Sequence, residues 1–145
     1  MKLIRSFFSL SLCLSLCLCL SLLSNGGAQA EPLGQPEAKP ILVISGKIAN
    51  TNVGDTAQFD RDMLEALGLE TVETANPWYD GRVRFEGVSI DKLMRLVGAT
   101  GTKVTAVALN DYVSSLPMED FKKFKVILAM KRDGNYMAVR DKGPL

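Results

Sequence analysis

Beyond residue 40 the apolar positions fall into short runs with two different periods. Ile41 to Ile48 (ILVISGKI) is a β-branched run that predicts a first, largely buried strand, bent at Gly46. Asn50 to Asp55 (NTNVGD) is turn chemistry. Asp60 is placed to cap a short helix through Leu67, with Met63, Leu64 and Leu67 on one face and Gly68 as its stop. Glu70 to Thr74 (ETVET) alternates, as does Arg82 to Phe85 (RVRF), whose Val83 and Phe85 point inward. Asn76-Pro77 and Asp80-Gly81 between them predict a hairpin. Ser89 caps a second helix, with Ile90, Leu93, Met94 and Val97 at helical spacing and Gly98 at its end. Lys103 to Leu109 (KVTAVAL) predicts a strand, Asn110-Asp111 breaks it, and Tyr112-Val113 resumes. Pro117 opens a one-turn helix over Met118 to Phe121. Val126 to Met130 (VILAM) reads as a buried strand that Asp133-Gly134-Asn135 turns back into Tyr136 to Val139. Short strands with two or three short helices attached imply an α+β fold with a mixed or mostly antiparallel sheet.

The first forty residues follow other rules. Lys2 and Arg5 precede an apolar run from Phe7 to Leu23, and Ala28-Gln29-Ala30 supplies the small-x-small pattern before Glu31. This predicts a secretory signal peptide over residues 1–30, cleaved after Ala30 and leaving no stable membrane anchor. The run is shorter than the ~20 residues that span a bilayer comfortably. Paired arginines are absent and each cysteine in the run follows Leu, so neither twin-arginine export nor a lipid anchor is indicated. The expected location is the periplasm. Glu31 to Pro40 (EPLGQPEAKP), with three Pro and one Gly, reads as a flexible or polyproline-like leader before a domain over 41–145.

Charge and cysteine usage then narrow the chemistry. Without Lys2 and Arg5, 15 of the 17 basic residues remain against 16 acidic ones, a formal charge of −1. Nothing here steers the chain onto nucleic acid, which rewards many phosphate contacts. All three cysteines (Cys13, Cys17, Cys19) lie in the signal segment, and the sequence contains no histidine. Residues 31–145 therefore have no Cys–His or Ser–His–Asp nucleophile, no zinc site built from Cys or His, and no disulfide. The domain stands on its hydrophobic core alone.

The order of motifs resembles a known family. Phe85 to Ala99 (FEGVSIDKLMRLVGA) resembles the W-x-G-V-P-L-x-x-L-L-x-x-x-G segment of the sulfite-oxidase-like molybdopterin oxidoreductase domain. Ala108 to Asp120 (ALNDYVSSLPMED) is similar to that family's S-x-D-G-Y-x-x-S-L-P stretch, and Val126 to Leu145 to its L-L-A-x-x-x-N-G-x-x-L-x-x-x-x-G-x-P-L segment. The resemblance implies the sulfite-oxidase-like fold, with a molybdopterin cleft lined by the loops around these motifs. It also implies a molybdenum-binding cysteine near Thr74 to Asn76, where this chain reads Thr-Ala-Asn. Neither a Thr hydroxyl nor an Asn amide replaces a thiolate on this metal. Family domains run on past the G-x-P-L motif, so this chain reads as a short member with an unpaired sheet edge.

Several groups are candidates for binding. Trp78, on a Pro-containing turn, either stacks on a flat heterocycle or plugs the helix over Ile90 to Val97. Asn110, Asp111 and Tyr112 sit at a strand end, as ligand contacts or as plain turn chemistry with Tyr112 half-buried. Arg140 and Lys142 beside Gly143 either grip an anion or form a solvated tail. With Thr74 and Asn76 these make up the expected ligand-binding set. Asp80 and Glu86, neighboured by Arg82 and Arg84, read as solvent-facing charges rather than a catalytic carboxylate pair, and Lys122, Lys123 and Lys125 as a solvated edge. The expectation is a non-catalytic module without cofactor, serving a small-molecule ligand or a periplasmic or membrane signalling protein. The alternatives are a molybdopterin-dependent oxidoreductase and a fragment without a stable fold.

Overall fold

A computed structural model describes residues 32–141 and Gly143. The signal-peptide segment and Lys142 lie outside the described residues. The chain reverses where Gly, Asn and Asp cluster, and most of the resulting strands pair with a sequence neighbour, the centre of the larger sheet being the exception. In order the elements are β1 (Leu42–Ile44), β2 (Ala57–Phe59), α1 (Arg61–Ala66), β3 (Glu70–Ala75), β4 (Arg82–Ser89), α2 (Ile90–Leu96), β5 (Lys103–Val107), β6 (Val113–Pro117), α3 (Asp120–Lys123), β7 (Ile127–Arg132) and β8 (Asn135–Tyr136). A 3₁₀ turn, Val139–Asp141, follows. The fold is α+β, and every strand pairing among the described residues is antiparallel. The strands form a β1-β2 ribbon, a four-stranded sheet in the order β3-β4-β7-β8, and a β5-β6 ribbon.

Both longer helices start where the sequence provides an oxygen. Asp60 accepts a hydrogen bond from the Met63 N–H at 2.9 Å, and the Ser89 hydroxyl accepts one from the Lys92 N–H at 3.4 Å. Gly98, at φ +62°, ends the second in the left-handed conformation. Its missing Cβ also makes room for Ala49, while the Ala49 and Asn50 N–H groups donate to Val97 O at 2.9 and 3.0 Å.

The core forms where β2, the two longer helices and the middle of the four-stranded sheet meet. Ala57, Phe59, Leu64, Val88, Leu93, Val97 and Met130 are its fully buried members. A β-bulge lies at its centre. Glu86 pairs with Lys131 but Gly87 pairs with Ala129, leaving Met130 as the extra residue on β7. The bulge turns Met130 into the core and lets the two backbones approach closely at Gly87.

Some expectations need correction. β2 falls in a stretch expected to lead directly from turn to helix. β4 runs to Ser89 rather than stopping at Phe85. Pro117 closes β6 instead of opening a helix, and the one-turn helix begins three residues later, at Asp120. The strand expected over Tyr136 to Val139 is confined to β8. The Pro-rich leader is fastened to the domain: Glu37 and Ala38 N–H groups donate to Asp60 Oδ2 at 2.8 and 3.0 Å, Asn52 Nδ2 donates to Gly34 O at 2.7 Å, and Leu33 packs against the core.

Candidate functional site

Six of the expected binding residues, Thr74, Asn76, Trp78, Asn110, Asp111 and Tyr112, divide between two hairpin tips. In the first, Thr74 and Ala75 pair with Val83 and Arg82 at the end of β3. The Thr74 hydroxyl donates to Ala75 O at 3.2 Å, and Asn76 Oδ1 accepts from the Trp78 N–H at 3.1 Å, an Asx turn that sets up the reversal. Trp78 is 69% exposed. It therefore does not plug the helix over Ile90 to Val97; its ring is presented outward.

In the second tip the Ala108 N–H donates to Tyr112 O at 2.9 Å and the Asp111 N–H to Ala108 O at 3.0 Å. Asn110 Oδ1 accepts from the Tyr112 N–H at 3.3 Å, a second Asx turn. Asp111 takes φ +62°, a left-handed backbone that Asp adopts more readily than most residues. Tyr112 is 67% exposed, not half-buried, and Val107, Leu109 and Val113 beside it are exposed as well. The two tips belong to different sheets. No hydrogen bond or ion pair connects Thr74 or Asn76 to Asn110, Asp111 or Tyr112. Arg140 lies exposed in the 3₁₀ turn.

The donors near Thr74 do not fit the metal that the resemblance implies. They are hard oxygens, and two of them are engaged in closing their own turn. Molybdenum in this setting calls for a thiolate, and residues 32–141 contain no cysteine. No group of three or more Asp, Glu, Cys or His among the described residues is arranged to hold a metal ion.

Sequence reading missed a polar cluster on α1 and the four-stranded sheet. The Tyr136 hydroxyl donates to Glu65 Oε1, and Lys131 Nζ stands 3.2 Å from the same oxygen. The Arg61 guanidinium and the Lys131 ammonium both approach the Tyr136 ring, at 4.4 and 4.5 Å from its centroid. Tyr136 and Lys131 are cross-strand partners, so β7-β8 pairing brings the two to one side of the sheet. The Tyr136 hydrogen bond, with help from Lys131 and Arg61, holds the Glu65 carboxyl below its ordinary range. The Glu65 bond in turn raises Lys131. Only the Arg61–Glu65 spacing of four residues on one helix was visible beforehand. Tyr136→Phe is expected to cost about 1 kcal/mol or less, since the ring is 44% exposed. It should also move the Glu65 titration upward, as NMR of the side-chain carboxyl would show; an unmoved titration would mean that the hydroxyl is not the controlling partner.

The edge of this sheet carries a second arrangement. Arg132 Cζ lies 4.7 Å from the centroid of Tyr79, whose ring tilts against Phe85 at 6.2 Å. Arg132, Asp133, Asn135, Tyr136 and Met137 line a shallow depression of about 150 Å³. Lys123 pairs with Glu119 at 2.8 Å and Lys125 with Glu70 at 3.5 Å on the exposed surface, whereas Glu86, expected to face solvent, is only 20% exposed at its side chain and pairs with Arg84 at 3.4 Å. Compared with models of protein families the chain matches none, and no curated protein matches it.

Proposed function

We propose that the chain is an exported binding or interaction module of the sulfite-oxidase-like fold, without a molybdenum site and without catalysis. The carrying observation is the outward presentation of Trp78 and Tyr112, each on a tip shaped by an Asx turn. Large aromatic side chains held in solvent by a fixed turn are binding groups at low entropic cost. Thr74, Asn76, Asn110 and Asp111 flank them, and Arg140 and Lys142 complete the proposed set. The ligand is a small molecule or a periplasmic or membrane signalling protein. The absence of histidine, and of thiol beyond residue 19, supports a role without nucleophilic chemistry. The other reading, a molybdopterin-dependent oxidoreductase, draws only on the order of the three motifs.

Metal analysis of protein purified from its native compartment separates the two. Stoichiometric molybdenum would overturn the module, whereas folded protein without it ends the oxidoreductase. Intact mass of the same material tests export, and a chain beginning at Glu31 is the expected result. Trp78→Ala and Tyr112→Ala should each change stability by no more than about 0.5 kcal/mol, as exposed positions do. A larger loss in thermal melts would make these rings structural.

A further inference from the structure

We propose that the depression beside the β7-β8 turn binds a small zwitterion of amino-acid size, a carboxylate on Arg132 and an ammonium on Asp133. This goes beyond the binding-module reading: it uses Tyr79 of the first hairpin tip but neither Trp78 nor Tyr112, and it does not depend on molybdenum. Arg132 is half-buried and lies against the Tyr79 ring, yet its guanidinium makes no hydrogen bond or ion pair with any described residue. A guanidinium held against an aromatic face keeps its fork of N–H groups free at the edge, the geometry that grips a carboxylate at two points. Stacking restrains the side chain beforehand, so less freedom is lost when a ligand arrives.

Asp133 supplies the opposite charge. Its N–H donates to Arg84 O at 2.9 Å, and its Oδ1 accepts from the Arg84 N–H at 3.2 Å, so the carboxylate is fixed to β4. Among the described residues Oδ2 accepts no hydrogen bond and Asp133 joins no ion pair. Asp133 (φ +49°) and Gly134 (φ +82°) are the two central residues of the β7-β8 hairpin loop, a turn that holds Asp133 in place beside the depression. Arg132 and Asp133 thus line one depression with opposite charges and form no ion pair with each other. A simple anion would be opposed by Asp133 and a simple amine by Arg132, whereas a zwitterion answers both. Lys131 does not upset this balance, because Glu65 and Tyr136 already engage it. Met137, 7% exposed, provides an apolar border. At about 150 Å³ and open to solvent, the depression suits a small ligand rather than a drug-sized one.

The test is a titration of the full-length protein with L-alanine, propionate and ethylamine, followed by amide NMR shifts. L-alanine should produce saturable shifts confined to Arg132 through Met137 and Tyr79, with half-saturation on the order of 1 mM. Propionate and ethylamine should bind roughly tenfold more weakly, the loss expected for one charge-assisted contact. Arg132→Leu and Asp133→Asn should each reduce L-alanine affinity by about the same factor. Should Arg132→Leu disturb the whole spectrum, Asp133→Asn decides alone, because it is expected to abolish the preference for L-alanine over propionate. Shifts that stay linear to about 50 mM, an equal response to propionate, or a preference that survives Asp133→Asn would each overturn the proposal.

Discussion

Gly87→Ala is expected to yield a chain without a cooperative thermal transition. A Cβ built on Gly87 would stand 1.9 Å from Leu128 O, 2.6 Å from Leu128 C and 2.7 Å from Ala129 Cα. All three are backbone atoms of the neighbouring strand, so no rotamer change relieves the clash. Nor can β4 and β7 simply separate, since Val88 and Met130 on either side of the bulge are completely buried in the core. Strand separation at this point would open a void beneath both. The cost should exceed about 4 kcal/mol, comparable with the whole stability of a small domain at ~5–15 kcal/mol. Gly34→Ala is the control: a Cβ there meets nothing within 4 Å, and its effect should stay within about 0.5 kcal/mol. Circular dichroism melts compare the two. A Gly87→Ala protein melting within about 5 °C of the parent would show that the bulge is not the fixed centre of the sheet.

The same bulge marks the limit of what could be read from the chain. Caps and turns were legible because each depends on a few adjacent residues: Asp60 and Ser89 at helix starts, Gly98 at a helix end, Asn76-Pro77 and Asn110-Asp111 at hairpin tips. β2 was not legible, since Ala57-Gln58-Phe59 is three residues long and its neighbours are turn formers. It becomes a strand only through β1, with Leu42 opposite Phe59. Pro117 was assigned to a helix start on local preference, but at the last position of a ribbon strand its missing N–H costs nothing when that position faces outward. The candidate site was half legible for the same reason. Asx turns at both tips are local chemistry, whereas the exposure of Trp78 depends on what the remainder of the chain leaves uncovered. Glu65 and Tyr136 are 71 residues apart and meet only because β8 folds back on β7. Tyr79 and Arg132 likewise meet only through the pairing of β4 with β7.

Replacing Asp60 tests the one buried charge of the described core, and two substitutions separate its two roles. Asp60 is 2% exposed and joins the leader to the first helix through a single carboxylate. Oδ1 takes the Met63 N–H at the helix start, and Oδ2 takes the Glu37 and Ala38 N–H groups. Asp60→Ala removes every acceptor and strands these donors, so Tm should fall by roughly 5–10 °C. Asp60→Asn is milder and more informative. Asn caps helices as well as Asp does, but its amide nitrogen cannot accept the leader's N–H groups. The helix should therefore persist while hydrogen exchange at Glu37 and Ala38 accelerates; unchanged exchange at both would mean that the leader is held by Leu33 and Asn52 instead. The pH dependence has a definite sign. The bond from Met63, followed by that from Ala38, lowers the Asp60 pKa against the opposing effect of burial. A carboxyl whose folded pKa is depressed binds its proton more readily when unfolded, so its contribution is complete above the ordinary aspartate value of about 4. It is lost as pH falls through the lower folded value. Asp60→Asn should flatten that acid limb of the stability profile, and an acid limb as steep as the parent's would assign it to other carboxylates.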